Sequence, residues 1–321
     1  MRTDRALHAL LDVELAFAPE YEGSPPRAVT RVAAPGDTAL ASHLPMALHA
    51  LADLGADAAL LRAWFELAAA RMPRLPAWPA LEAAERALPD GPAHELLASR
   101  LPELLQHAGA AAFHALIRCA HAFESGHTGQ LRRALAWWSL LRQPVPLTSA
   151  RPALALEDWL DALLALPAPP SPPGRLISHR MQQWIDHPPF AAWAPTLRLD
   201  ASLLPRLARR TAALYAGSGN FTLLHGLTAC RAMSRLLPLL APSQHETALR
   251  AFSVHWAAAV CTSRYQAGEP PAPEPWEALL ARTLQAEQDE HVIKLVHAAR
   301  QFDRDGDPLW RMAATRAVLR H

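Results

Sequence analysis

Lysine is almost missing from this chain: of its 31 Lys and Arg residues, 30 are arginines and the one lysine is Lys294. Where codon usage thins lysine everywhere, a survivor marks a place where guanidinium does not serve. A lysine amine can lose its proton when buried and then act as a nucleophile or react with carbon dioxide, and guanidinium can do neither. The alternative is an ordinary lysine whose stem packs on apolar surface while the ammonium reaches water. Lys294 sits in Asp-Glu-His-Val-Ile-Lys-Leu-Val-His-Ala, residues 289 to 298, with His291 three residues before it and His297 three after. On a helix that spacing puts all three on roughly one face.

Cysteine is also scarce. Cys119, Cys230 and Cys261 lie far apart with no Cys-x-x-Cys pair, which excludes a zinc knuckle and a disulfide framework and fits a reducing compartment. Long hydrophobic runs are lacking too: although 51% of residues are hydrophobic and 19% charged, none reaches the roughly 18 uninterrupted apolar residues of a membrane span. A formal charge of +1 and dispersed arginines give no phosphate-binding block, so neither nucleic acid nor an acidic membrane surface is an expected partner. The N-terminus turns acidic and amphipathic where a secretory signal would be apolar, and the expected location is the cytoplasm.

Alternation of β-branched with polar residues is rare, while Ala, Leu, Arg and Glu dominate, so the expected fold class is all-α. A first helix follows Thr3 or Asp4 with Leu7, Leu10, Leu11 and Leu15 on one face. Residues 18 to 36 read as an extended crossing, after which Asp37 or Thr38 caps a helix over Ala39–Leu54, with Pro45 either in its first turn or at a kink. Further helices are expected near 57–71, two or three within 92–143 including Ala110–Phe123, and others near 175–186, 203–216, 219–237 and 243–263. One long helix after the proline-rich segment Gly268–Pro275 carries Lys294, and Gly306-Asp-Pro308 precedes a closing helix. The proline-rich break at 166–175 reads as a surface connection within one domain spanning 1–321.

Local catalytic signatures are absent. There is no His-Glu-x-x-His and no facial-triad pattern, and neither Ser42-His43 nor Ser253-x-His255 sits in a nucleophile elbow. What is abundant is histidine, with 16 residues. His43, His114, His225 and His291 all stand in apolar helical surroundings. Each alone reads equally as a satisfied core imidazole, but four on four helices of one bundle can assemble a metal site, with imidazole suiting iron, zinc, copper or nickel. Trp137, Trp138 and Trp256 either wall a flat aromatic pocket or pack the core. Asp289 and Glu290 cap or solvate the start of the lysine helix, and Glu290 is placed to orient an imidazole.

These segments resemble the questin oxidase-like proteins. The resemblance rests on His43-Leu-Pro-Met-Ala-Leu followed by Ala52-Asp-Leu-Gly55, on His114-Ala-Leu-Ile117, on Phe221-Thr-Leu-Leu-His225, and on His291-Val-Ile-Lys294 with the Gly-Asp-Pro turn at 306 to 308. It implies a helical oxygenase with a mononuclear non-haem Fe(II) held by His43, His114, His225 and His291 and by Lys294 as its carbamate, with Lys294 and His291 central to catalysis. Dioxygen and a polycyclic aromatic or quinone substrate are the implied partners, in an anthraquinone-like ring cleavage or a Baeyer–Villiger-type oxidation. Where relatives carry a second histidine this chain has Arg118, with His121 one turn on. His297, where relatives carry an acid, reads as a residue behind the ligands or in the pocket.

Family members also imply NADPH. Gly217-Ser-Gly219-Asn-Phe-Thr222 begins like a dinucleotide fingerprint but lacks the third glycine and a preceding strand, so it reads as a cap for the helix of His225 and NADPH as an external reductant. Two other classes remain open at this level: a non-catalytic α-helical interaction protein, and a metal-dependent hydrolase using a carboxylated lysine.

Overall fold

The computed structural model describes residues 2–21, 40–172 and 174–320. Among them are sixteen α-helices and one two-stranded sheet, an all-α architecture. In chain order these are α1 (Arg2–Glu14), β1 (Glu20–Tyr21), β2 (Leu40–Ala41), α2 (Leu44–Asp53), α3 (Ala58–Ala69), α4 (Pro79–Arg86), α5 (Ala93–Leu104), α6 (His114–Glu124), α7 (Thr128–Leu140) and α8 (Leu156–Leu164). There follow α9 (Ile177–Ile185), α10 (Pro188–Trp193), α11 (Leu203–Ser218), α12 (Phe221–Leu236), α13 (Pro242–Ser263), α14 (Trp276–Thr283), α15 (Glu290–Phe302) and α16 (Pro308–Arg320).

Four of these form a closed ring at the centre: α2 packs on α6, α6 on α12, α12 on α15 and α15 back on α2. Their sequences are apolar on nearly every side. In α15, Val292, Ile293, Leu295, Val296, Ala298 and Ala299 are all buried, and burying each larger side chain contributes roughly 1.5–3 kcal/mol, enough to outweigh the modest helix propensity of Val and Ile. The remaining helices enclose the ring. α1 and α3 cover α2, α7 backs α6, α11 and α13 flank α12, and α16 lies on α15 and α11.

Capping chemistry sets several of the ends. Asp57 accepts from the backbone N–H groups of Ala59 and Leu60 to start α3, and Asn220 accepts from Thr222 and Leu223 to start α12, satisfying donors that a helix start leaves free. Gly219 closes α11 in the left-handed region at φ +61°, so the Gly-Ser-Gly-Asn stretch is the cap of the His225 helix. The described residues of the 166–175 break lie in coil between α8 and α9. One hydrophobic cluster draws side chains from both sides of that break, including Leu116, Leu163, Met181 and Trp256.

Three helix boundaries differ from the sequence reading. The helix expected from Ala39 begins at Leu44, because Leu40 and Ala41 pair with Tyr21 and Glu20 as a strand, and Pro45 occupies the first turn without a kink. Asp37 and Thr38, the expected caps, lie outside the described residues, as does most of the 18–36 crossing. The helix expected from Ala110 begins at His114, since Ala111, Ala112 and Phe113 are left-handed at φ 51°, 55° and 70°. The long lysine helix is two helices, α14 and α15, separated where Asp289 turns its carboxylate onto the backbone N–H of His291. α4, α8 and α10 were not anticipated; all three are short, and α4 and α10 begin at prolines.

A buried ion pair ties the ring to its outer layer. Arg118 on α6 donates through Nη2 to Glu14 on α1 at 3.0 and 3.1 Å, and Gln130 on α7 donates to the same carboxylate at 2.7 Å. Glu14 and Gln130 are fully buried and Arg118 nearly so. Arg118 thus faces Glu14 and anchors the ring to α1. Removing one member of such a pair leaves a charge buried without a partner, at about 3–5 kcal/mol. Glu14→Ala is therefore expected to lower unfolding stability by that amount in urea denaturation; a loss under about 1 kcal/mol would show that the pair is solvated.

Candidate metal centre

The ring helices bring their beginnings together. His43 is the N-cap of α2, His114 the first residue of α6, His291 the second of α15, and His225 lies one turn into α12. Their imidazoles follow one another in a closed circuit. Ring centres are 4.7 Å apart for His43 and His114, 4.8 Å for His114 and His225, 5.5 Å for His225 and His291, and 4.4 Å for His291 and His43. Phe221 packs against His225 and His291 at 4.7 and 4.6 Å.

The outward nitrogens of three rings are tied to acceptors. His114 Nδ1 donates to the Ala111 carbonyl at 2.5 Å, His225 Nδ1 to the Phe221 carbonyl at 2.8 Å, and His291 Nδ1 to Asp289 Oδ1 at 3.1 Å. Each bond fixes the Nδ1–H tautomer and leaves Nε2 as a lone pair, the arrangement by which outer groups orient metal-binding imidazoles. The turn that supplies the Ala111 carbonyl is strained, since a left-handed non-glycine residue costs roughly 1–2 kcal/mol. It is held by the burial of Phe113 against Phe252 and by the passage of Gly109 so close to His255 that a Cβ there would stand 2.3 Å from the ring.

His43 exposes the frustration of the circuit. Its Nε2 lies 2.7 Å from His114 Nε2, and its buried Nδ1 has no hydrogen-bond partner, with Glu290 Oε1 3.4 Å away. If the His43 proton is on Nε2, a lone pair on Nδ1 faces a carboxylate. If it is on Nδ1, two lone pairs face each other across 2.7 Å. A cation relieves either conflict, because nitrogens bound at right angles 2.0–2.1 Å from an ion stand about 2.9 Å apart.

Lys294 is buried among these rings, with 2% of its surface exposed. Burial lowers its amine to about 8, opposed by the nearby Glu290 and Asp289 carboxylates. Burial likewise drives His43, His114 and His225 well below the usual imidazole value and lowers His291, and the Lys294 charge pushes all four further down. All five residues singled out in the sequence therefore meet in one place. Among the described residues, the set of donors whose atoms all fall within 4.8 Å of one another is His43, Glu290 and His291. Glu290 was read as an orienting group and stands here as a possible ligand. Closing all four imidazoles on one ion requires them to move inward from this arrangement.

A cavity of about 430 Å³ opens on the His43, Glu290 and His291 edge, walled by Tyr21, Trp64, Leu67, Met72 and Arg71. Trp64 is fixed by its indole N–H donating to the Gln288 carbonyl at 2.9 Å. Burial, reinforced by Glu290, raises the Tyr21 hydroxyl to about 12, so it stays protonated. The tryptophans offered as pocket walls are core instead. Trp137, Trp138 and Trp256 are fully buried, with their indole N–H groups donating to Glu20, the His107 carbonyl and Thr211.

His297 and His121 belong neither to this circuit nor to the cavity. They stand with His49, two turns deeper in the ring, with centres 5.3 Å apart for His121 and His297, and 5.1 and 5.9 Å from His49 to each. A one-face reading of α15 thus grouped His291 with His297 although they end in different clusters. The chain matches no family model, and no curated protein matches it.

Neutral buried histidines make stability depend on acid. His49, His255 and His297 are lowered by burial to about 3, 4 and 4 from an ordinary 6.5, so on unfolding below pH 6.5 each takes up a proton. Their contribution is complete above that pH and is lost as pH falls toward the folded values, by up to about 1.4 kcal/mol per pH unit for each residue. Calorimetric Tm is expected to be flat between pH 7 and 8 and to fall steadily from 6.5 to 5. A Tm unchanged down to pH 5 would mean these imidazoles are solvated.

Proposed function

We propose that this chain is a metal-dependent oxygenase of the questin oxidase-like kind, acting on a polycyclic phenolic or quinone substrate. The observation that carries the reading is the His43–His114 contact, two imidazole nitrogens 2.7 Å apart in a circuit whose other outward nitrogens are already committed. His43, His114, His225 and His291 would hold the ion through Nε2, with Lys294 supplying an anionic oxygen as its carbamate. Neutral imidazoles joined by a hard oxygen donor suit iron. When bound, such an ion supplies the activation of dioxygen.

The residues account for the rest. With its amine near 8, Lys294 is neutral in about a tenth of molecules at pH 7, against roughly one in 3,000 for an ordinary lysine. The neutral amine attacks carbon dioxide, an N–C bond forms, and one proton leaves to solvent. The start of a helix is positive, and four such starts favour a carbamate over a second cation at this position. The cavity is within the range that seats a small organic ligand, roughly 300–1,000 Å³. Trp64 offers a fixed flat face, Met72 a polarizable contact and Arg71 a cation for a phenolate oxygen, while the protonated Tyr21 hydroxyl can donate to a quinone carbonyl. External NADPH would reduce the quinone before binding.

A second reading has its own observation. The compact set of His43, Glu290 and His291 faces the cavity and could hold a hydrolytic zinc, with no need of a carbamate. Protein purified without a histidine tag separates the two. The oxygenase reading expects bound iron, oxygen uptake on adding a hydroxyanthraquinone, a carbamate carbon signal in ¹³CO₂-equilibrated protein, and loss of iron in Lys294→Ala. Zinc retained in Lys294→Ala without oxygen uptake supports hydrolysis, and neither metal returns the histidines to a packing role in an interaction protein.

A further inference from the structure

Below the first circuit the same helices carry a second set of imidazoles. His49 follows His43 by six residues on α2, His121 follows His114 by seven on α6, and His297 follows His291 by six on α15. Such offsets advance a helix by about 9–10 Å. On α12 the corresponding place, six residues after His225, holds Arg231, whose guanidinium is paired with Glu124. His49, His121 and His297 are 7%, 3% and 0% exposed, a placement that uncharged imidazoles take only when their nitrogens have partners.

Those partners are incomplete. His297 Nε2 donates to Asp53 Oδ2 at 2.8 Å, and Gln301 donates to the same oxygen at 2.9 Å while its own carbonyl accepts from Arg231. The Asp53 bond fixes the His297 tautomer and makes Nδ1 a lone pair, yet that atom is buried with nothing to receive. His49 Nδ1 and His121 Nδ1 are hydrogen-bonded to each other at 2.9 Å, within about 0.5 Å of the separation of two nitrogens held tetrahedrally about 2.0–2.1 Å from one ion. His49 and His121 thus spend Nδ1 only on each other and His297 Nδ1 bonds to nothing; as they stand the three rings do not bring one nitrogen each within 4.8 Å of the others, and a carboxylate holds one ring from behind, as the outer groups of metal-bound histidines do.

We propose that His49, His121 and His297 form a second site, separate from the His43 circuit, for one divalent transition-metal ion of the zinc class, with Asp53 as the group that orients His297. Three imidazoles are a donor set that zinc and cobalt accept. Arg231 is the unfavourable neighbour. It shares Glu124 with Arg235, and with Asp53 the two arginines and two carboxylates balance before an ion enters. Binding draws the His297 ring toward the other two. At about 9–10 Å from the first circuit the ion is too distant to share a bridging oxygen with it, which needs about 3.5–4 Å, so the two sites fill independently.

The test uses Co(II) as the probe. Untagged full-length protein is stripped, reloaded with cobalt and crystallised, and anomalous maps are calculated at the cobalt edge. Metal per chain is measured in parallel for wild type and His121→Asn. The expected result is a peak enclosed by His49, His121 and His297 and the loss of one cobalt per chain in His121→Asn. The absence of that peak, or wild-type cobalt content in folded His121→Asn, overturns the proposal. If His121→Asn does not fold, the wild-type map decides alone. The oxygenase reading fails on a different signal, the absence of a peak among His43, His114, His225 and His291.

Discussion

Four helices begin at one buried point, and the packing around them keeps those beginnings together. A helix start presents free N–H groups and a partial positive charge, so anything ionisable placed there is pushed toward neutral or negative forms. The structure follows that constraint residue by residue. The imidazoles at the starts of α2, α6, α12 and α15 are uncharged, the one amine is weakened as an acid-binding group, and the charged residues at the edge, Asp289 and Glu290, are acids. Neutral nitrogen donors beside carboxylates are what a cation requires, and they arise here because burial holds the imidazoles uncharged and weakens the amine at a point where helix starts favour acids.

The buried arginines of the ring are each held by a carboxylate. Arg118, one turn after His114, is held by Glu14, and Arg231, six residues after His225, by Glu124. These pairs reach across to α1 and back to α6, so the charge that neutralises each arginine also fastens one helix to another. An apolar core of this size needs no ion pairs to collapse. Their effect is on register, because a helix that slipped by one residue would separate each guanidinium from its carboxylate.

Much of this was legible in the sequence, and the failures are instructive. Helical periodicity located nearly every long helix, because Leu and Ala repeat at positions that face a core. His43, His114, His225, His291 and Lys294 could be singled out by residue type and apolar context, and Asp289 by its place before a helix. Helix starts were misjudged at Leu44 and His114 because both depend on partners far away in sequence: a strand contributed by Glu20 and Tyr21, and a left-handed turn stabilised by His255 and Phe252. Trp64 was missed as the cavity wall for the same reason, its neighbours Gln288 and Tyr21 being hundreds of residues or a strand pairing away. The deeper histidines did leave a signal, the repeated offset of six, seven and six residues on three helices, which only becomes visible once those helices are known to run side by side.

The left-handed turn at Ala111–Phe113 also makes the seat of one imidazole a long-range property of the chain. Three consecutive residues in that region have no local preference for it, so the start of α6 is not set by its own sequence. It is set by Phe252, more than a hundred residues further on, against which Phe113 packs, and the place of His114 is therefore written largely in a helix to which it does not belong.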